Sequence, residues 1–354
     1  MAPYLSVVII ARNEAAYIER ALASVFEAVR GTCAEAILVD SASTDGTVAL
    51  ARGFPVEIVR LEPGWFLSPA AGRYVGLNIA SGEYVFLLDG DTSLEPGFLE
   101  AALPILEADR GLAGILGKRR ELTLDGGKVR VACEDAYRID RPRVYRLGDK
   151  LGGSGLYRTS ALREVGGFNP WLCANEEAEL VLRLYDAGYR LLMVPQPMIS
   201  HLDHRPPSVD ELRRRWRENL LVGLGQVVRL HPFRRHLYKG MSKTLSMFAC
   251  LLALPLLAAV VLVMGQPRLL LVWPAGMAAL YVIFVARGRS LTKPLFYAAV
   301  WALSGLKIGQ GFLKTPRDPT DYPLPAPAAR GTGNSLQGEI DERPVGGNRL
   351  LEGR

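Results

Sequence analysis

The chain has 354 residues, enough for one large domain or two ordinary ones with a substantial core. Its net charge is +6 and its isoelectric point is about 9.2, yet the basic residues cluster ahead of a C-terminal apolar region rather than along a nucleic-acid-binding surface. Hydrophobic residues make up 49% of the chain, mean hydropathy is +0.13, and the excess collects after residue 243. Cys33, Cys133, Cys173 and Cys250 are far apart and form no CxxC pair, which argues against a disulfide framework or a zinc site.

"MAPYLSVVII" lacks a charged n-region and a cleavage site, so it is expected to be a first strand and not a signal peptide. The β-branched run Leu5–Ala11 fits a strand buried on both faces. Asn13 is placed to cap a following helix whose apolar face carries Ile18, Leu22 and Val25. "AILVD" (36–40) predicts a second buried strand, "SASTDGT" a turn, and "VEIVRL" (56–61) a third strand. A helix over about Ala70 to Ala80 then leads into "YVFLLDGD". Strands alternating with helices predict an α/β fold with a Rossmann-like, doubly wound, mainly parallel sheet. In such a sheet the loops at the carboxyl ends of the strands line the ligand crevice. "ARNE", "DSASTD" and "DGD" each follow a strand directly, so all three are expected on one rim. Asp89 and Asp91 there are placed to hold a divalent cation.

Between about Gly117 and Gly167 the pattern is irregular. "EEAELVLRLYDAGY" (176–189) reads as a helix and "RLLMVP" as a strand. "PPSVDELRRRWRENLLVGLGQVVRLHP" reads as one basic amphipathic helix beginning at about 207. Segments 244–264 and 269–286 have the length and apolar character of two transmembrane helices, and 294–306 that of an interfacial or re-entrant segment. Flanking basic residues place the catalytic domain and the C-terminus in the cytoplasm of a multi-pass inner-membrane protein. The domain expectation is therefore a catalytic unit over 1–235, a membrane region over 243–310 and a disordered tail over 315–354.

Five ordered stretches, "SVVIIARNEAAYIERALASV", "ILVDSASTDGT", "AAGRYVGLNIASGEYVFLLDGD", "GGSGLYRTSALREVGGFNP" and "NEEAELVLRL", together resemble the family 2 glycosyltransferases with the GT-A fold. The resemblance runs over roughly Leu5 to Arg235. It implies an inverting enzyme that moves a sugar from a nucleotide-diphosphate donor, UDP or dTDP favoured, to a hydroxyl of a membrane-proximal, lipid-linked or saccharide acceptor in glycan biosynthesis. By that resemblance Mg²⁺ or Mn²⁺ is the cofactor, held by Asp91 with Asp89 and His201, while Asp89 also contacts the ribose. Gly90 then keeps a side chain away from the diphosphate. The nucleotide site comprises Ala11, Arg12, Asn13, Glu14, Asp40, Ser41 and Arg73. Gly152, Gly153 and Ser154 form a small-residue wall beside the sugars, and Trp216 is a stacking candidate. The family carries its general base in a Glu-Asp pair; here the pair is Glu176-Glu177, with Glu177 at the base position and Glu176 the rival. Expected partners are the donor, the acceptor, membrane lipids, further copies of the chain or other glycan-assembly proteins, and no nucleic acid. A processive polysaccharide synthase and a catalytically silent assembly scaffold stand as alternatives. A haloacid-dehalogenase-type phosphohydrolase needs its DxD on the first strand, which this chain does not have.

Overall fold

The computed structural model describes residues 3–125, 128–202, 213–214, 216–234, 261, 263–265, 282 and 304–325. Its centre is a ten-stranded sheet with the order β3-β2-β1-β4-β9-β6-β10-β5, to which β7 adds beside β6 and β8 beside β10. The first half follows the sequence pattern closely. β1 (Leu5–Ala11), β2 (Ala34–Asp40), β3 (Glu57–Arg60) and β4 (Tyr84–Asp89) all run parallel. The continuous apolar runs of β1, β2 and β4 are buried on both faces because helices cover them. α1 (Ile18–Ala28) turns Ile18, Ala21, Leu22 and Val25 inward at helical spacing. Each fully buried Leu or Ile of this kind contributes about 1.5–3 kcal/mol.

α3 (Pro69–Ile79) starts with Ser68, whose side chain accepts the Ala71 N–H, and Pro69 occupies the first helical position. This helix lies so close to the sheet that a Cβ on Gly76 would sit 2.2 Å from Val8 Cγ1. After β5 (Thr92–Leu94) and α4 (Phe98–Ala108), the region that looked irregular resolves into strands. β6 (Leu112–Asp125) and β7 (Lys128–Cys133) form an antiparallel hairpin, and β8 (Arg143–Val144) pairs with β10 (Arg190–His201). β9 (Gly155–Arg158) lies antiparallel between β4 and β6. The sheet is therefore mixed rather than mainly parallel. α2 (Thr47–Ala51), α5 (Thr159–Glu164) and α6 (Glu176–Asp186) complete the layers.

Three further expectations change. The basic stretch after 206 is not one helix in its described part: turns at 218–222, with Asn219 at φ +57°, separate residues 213–217 from the helix Gly223–Leu230. Residues 315–325 are not a disordered tail, since Tyr322 is buried against the catalytic domain. The multi-pass membrane localisation is also corrected, because among the described residues no helix is long and apolar enough to cross a membrane. The two expected spans, 244–264 and 269–286, lie outside the described residues apart from Val261, Val263, Met264 and Val282. Of the 294–306 segment only 304–306 are described, and they are helical.

The closeness of α3 to the sheet yields a stability prediction. Gly76→Ala is expected to cost about 1–3 kcal/mol, because Val8 lies on a central strand and has little room to move. Denaturant unfolding with an unchanged midpoint would show that the helix does not sit this near β1.

Candidate active site

Register puts the predicted loops on one rim. Ala11 pairs with Asp40, Asp40 with Arg60, and Ile10 with Asp89, so the carboxyl ends of β1, β2 and β4 lie side by side. The first two loops are laced together. Asn13 adopts a left-handed conformation at φ +58°, its N–H donates to Ser43 Oγ at 2.9 Å, and its Oδ1 accepts the Thr44 N–H at 2.9 Å. Asn13 therefore ties the β1 loop to the β2 loop and does not cap α1, which begins after Tyr17 without a side-chain cap. The Glu14 N–H donates to Thr47 Oγ1 at 2.8 Å, and the Ser41 N–H donates to the Ala11 carbonyl at 2.8 Å. Arg12 is exposed at the mouth.

Asp40 is fully buried. Its Oδ2 accepts the Ser43 N–H at 3.1 Å and Arg60 Nε at 3.3 Å, while Oδ1 is buried without a hydrogen-bond partner. A buried carboxylate oxygen left unpaired is costly unless a ligand donates to it.

Arg73, only 3% exposed, is the hub of the site. Nη2 donates to Asp89 Oδ1 at 2.6 Å, Nη1 donates to Glu176, and Glu177 Oε1 lies 3.7 Å from Nη1. Burial works against its charge, but Asp89, Glu176 and Glu177 outweigh that and hold the guanidinium ionised. Burial raises the Glu176 carboxyl, with Arg73 opposing. Glu177 keeps one side partly open to the cleft and is pushed up to about 8, by burial and then by the Glu176 charge. α6 presents this pair because Asn175, at φ +63°, turns the chain immediately before it.

The strip between β8 and β9 closes over the hub. A Cβ on Gly153 would fall 1.6 Å from Arg73 Nη2 and 2.9 Å from Asp89 Oδ1, and one on Gly152 would fall 2.1 Å from the Tyr137 hydroxyl. Ser154 is buried, with an unpartnered Oγ. Gly90 also has a packing constraint: a Cβ there would lie 2.9 Å from Ala11 Cβ and 3.2 Å from the Ile10 carbonyl oxygen, so the end of β1 leaves room only for glycine.

Asp91 stands just before β5, and His201 ends β10 in register with Thr92 on one side and Glu121 on the other. His201 Nε2 is 3.3 Å from Asp91 Oδ2 and Nδ1 is 2.7 Å from Glu121 Oε2; Arg119 Nε meets Glu121 Oε1 at 2.8 Å. Burial acts to lower the imidazole pKa, but the Asp91 and Glu121 hydrogen bonds prevail and raise it to about 9. The Asp91 carboxyl is held low: burial acts to raise it, and the His201 hydrogen bond prevails. Glu14 is pushed up to about 7, first by burial and then by Asp91 and Asp89. Among the described residues no three His, Cys, Asp or Glu side chains converge closely enough to hold a metal ion. Asp89 turns to Arg73, leaving Asp91 and His201 as a pair. Asp91 could supply one of the one or two carboxylates by which Mg²⁺ is held beside substrate phosphates and water, and His201 could join it only as the neutral imidazole. Glu121 on the second imidazole nitrogen is the support that metal-ligating histidines usually have.

Residues 6–166 match the family described as Glycosyl transferase family 2. Over those residues the chain is a family 2 glycosyltransferase domain. It is 31% identical over 156 residues to the pre-mycofactocin glycosyltransferase of Mycobacterium tuberculosis, covering 42% of this chain and 32% of that one. It is 26% identical over 196 residues to the succinoglycan biosynthesis protein ExoA of Rhizobium meliloti, covering 53% and 59%. The chain thus spans about a third to three-fifths of the length of these relatives. The crystal structure of S. aureus TarS 1-349 in complex with UDP-GlcNAc superposes with a TM-score of 0.49 at 18% identity, over 66% of this chain and 74% of that one.

Asp40, Asp89, Arg73, Gly153, Glu176, Glu177 and the Asp91–His201 pair thus lie along the strand-end rim and the start of α6. Trp216 does not join them: its ring carries Lys307 Nζ at 4.6 Å, on the C-terminal helical part. Arg119, Glu121 and Tyr137 were missed. Tyr137 is buried, and burial pushes its hydroxyl up to about 12. For Arg119 and Glu121 the available signal was the run of four charges Lys118–Glu121 inside β6, which puts Arg119 and Glu121 on the same face once that segment is known to be a strand.

Gly153→Ala is expected to displace the Arg73 guanidinium and lower turnover by about 10²-fold, the scale of a roughly 1 Å error in a reacting site. Steady-state kinetics with retained thermal stability checks this. Wild-type turnover would show that Arg73 is free to move.

Proposed function

We propose that the protein is an inverting glycosyltransferase that moves a sugar from a pyrimidine nucleotide-diphosphate donor to a hydroxyl of a saccharide, free or lipid-linked, in glycan biosynthesis. One observation carries the reading: Arg73 joins Asp89, on the donor rim, to the Glu176-Glu177 pair that opens α6. Inverting transfer needs leaving-group stabilisation and a base in one cavity, and this contact brings the two sets of groups together.

Asp40 Oδ1 would accept the imide N–H of uracil or thymine, which suits its lack of any protein donor. Gly152, Gly153 and Ser154 would admit the sugar close to the backbone. Asp91, with His201 once it has given up its proton, would hold Mg²⁺ or Mn²⁺ against the diphosphate. When bound, that ion supplies Lewis-acid neutralisation of the charge that develops on the leaving group. Arg73 contributes a fixed positive charge beside Asp89, where it offsets the clustered carboxylates and favours an anionic ligand.

Glu177 is the general base in this reading. Glu176 is engaged by Arg73 and nearly out of contact with solvent, whereas Glu177 is the more exposed of the two and its pKa lies near the working range. Glu177 takes the proton from the acceptor hydroxyl as that oxygen attacks the anomeric carbon, and the nucleotide diphosphate departs from the opposite face. No covalent enzyme intermediate forms. The glutamate, one methylene longer than the usual aspartate, reaches the cleft from a helix start buried by Arg73.

Three outcomes test the assignment in the full chain. Asp91→Asn, which removes charge at nearly constant volume, should abolish release of UDP from UDP-sugars while leaving the fold intact; full activity would exclude Asp91 as a ligand. Glu177→Gln should leave donor binding in place and lower turnover by about 10²–10⁴-fold, and an inert Glu176→Gln beside an active Glu177→Gln would reverse the assignment. The base must be ionised to act, so turnover should fall as pH is lowered through about 8 and level off above it. A rate flat from pH 6 to 9 would contradict that role.

A further inference from the structure

The C-terminal described segment returns to the catalytic domain at a specific place. Residues 304–313 are helical, and the chain then runs on through one 3-10 turn, Pro319–Asp321. Between two exposed neighbours, Tyr322 is 2% exposed. Its ring meets Trp65 at 6.0 Å, Tyr74 at 5.9 Å and Trp171 at 5.2 Å, all edge-on, and its hydroxyl donates to the Phe66 carbonyl at 2.8 Å. Trp171 Nε1 donates to the Asp318 carbonyl at 2.8 Å. A rigid aromatic ring packed edge-to-face fixes the groups around it at little cost in rotamer entropy.

What those groups are gives the contact its meaning. Tyr74 is the residue after Arg73 on α3. Trp171 stands in the loop that leads to Glu176. The same loop is held from its other side. Gln226, on the helix Gly223–Leu230, accepts the Cys173 N–H at 3.0 Å and donates to the Trp171 carbonyl at 2.9 Å. A Cβ on Gly223 would lie 2.3 Å from the Ala174 carbonyl oxygen. The 304–313 helix presses on that helix backbone to backbone: a Cβ on Gly225 would be 1.9 Å from the Ile308 oxygen, and one on Gly311 would be 2.1 Å from the Val222 oxygen.

We propose that residues 304–322 are a brace for the reaction centre, and that Tyr322 is a positioning residue that sets α3 and the loop before α6 relative to each other. It touches no reacting atom. It acts through Tyr74 and Trp171 on the distance between Arg73 and the Glu176-Glu177 pair. A strap that only added general stability would have no reason to land on those two elements together.

The test uses the full chain with Tyr322→Ala, Tyr322→Phe and Trp171→Phe, read by hydrogen–deuterium exchange and by kinetics on UDP-sugars. Tyr322→Ala should speed exchange in 69–79 and 170–180 while leaving 5–11 and 34–40 at the wild-type rate. Tyr322→Phe keeps the ring and should restore the wild-type pattern. The kinetic arm rests on the glycosyltransferase reading: kcat should fall about 10²-fold in Tyr322→Ala with donor KM and UDP affinity within twofold of wild type. If Tyr322→Ala does not fold, Trp171→Phe, which loses the Asp318 hydrogen bond, some ring area and part of the Arg317 stacking at 4.7 Å, should show the same exchange pattern to a smaller degree. Faster exchange confined to 314–325, or spread evenly over the chain, would overturn the brace. The expected exchange pattern in a protein that turns over no UDP-sugar would support the brace and count against the glycosyltransferase reading alone.

Discussion

One buried cation organises this molecule. Arg73 sits among Asp89, Glu176 and Glu177 with almost no access to water. An arginine there without carboxylates would be expensive, and so would the carboxylates without the arginine. Removing either side would leave an uncompensated buried charge, so the donor rim and the start of α6 are bound to each other electrostatically. Guanidinium suits the position because its planar fork reaches two carboxylates in fixed directions, whereas an ammonium group is a point charge. The glycine at 153 completes the arrangement by yielding the space that the fork fills.

The parallel half of the sheet makes that arrangement possible. Pairing β1 with both β2 and β4 brings Ala11, Asp40 and Asp89 to one edge regardless of their separation in sequence. The mixed half supplies the rest from a different direction. β10 delivers His201 between β5 and β6, where Asp91 and Glu121 flank it. Two separate electrostatic groups result: Arg73 with three carboxylates, and His201 with two. Glu14 lies near both aspartates of the rim, and burial, followed by their charge, makes it hold its proton more tightly.

Much of this was legible in the residues. Uninterrupted apolar runs announced β1, β2 and β4, and those of β2 and β4 end in Asp40 and Asp89 at the crevice. The Glu176-Glu177 pair was legible as a helix start. The span from 117 to 167 was not, because β6 and β7 carry charge on a long hairpin and β9 is short and glycine-led, so no run reached the length of a buried strand. For that reason Arg119, Glu121 and Tyr137 escaped notice. Asn13 bridges two loops and does not cap α1; a capping residue and a loop-bridging residue look alike in one dimension, and the packing of Gly90 against β1 leaves no mark in the sequence. The polar composition after 315 hid a single anchoring tyrosine, and the apolar segments after 243 led to membrane spans that no described helix supports.

The most direct measurement of the central claim is the turnover of Arg73→Lys in the full chain, compared with the wild type on the same UDP-sugar. Lysine keeps the charge but cannot grip Asp89 and Glu176 together, so turnover should fall by about 10²-fold or more in a folded protein. A folded Arg73→Lys variant working at the wild-type rate would show that positive charge alone suffices, and that the two-sided contact at Arg73 does not hold the site together.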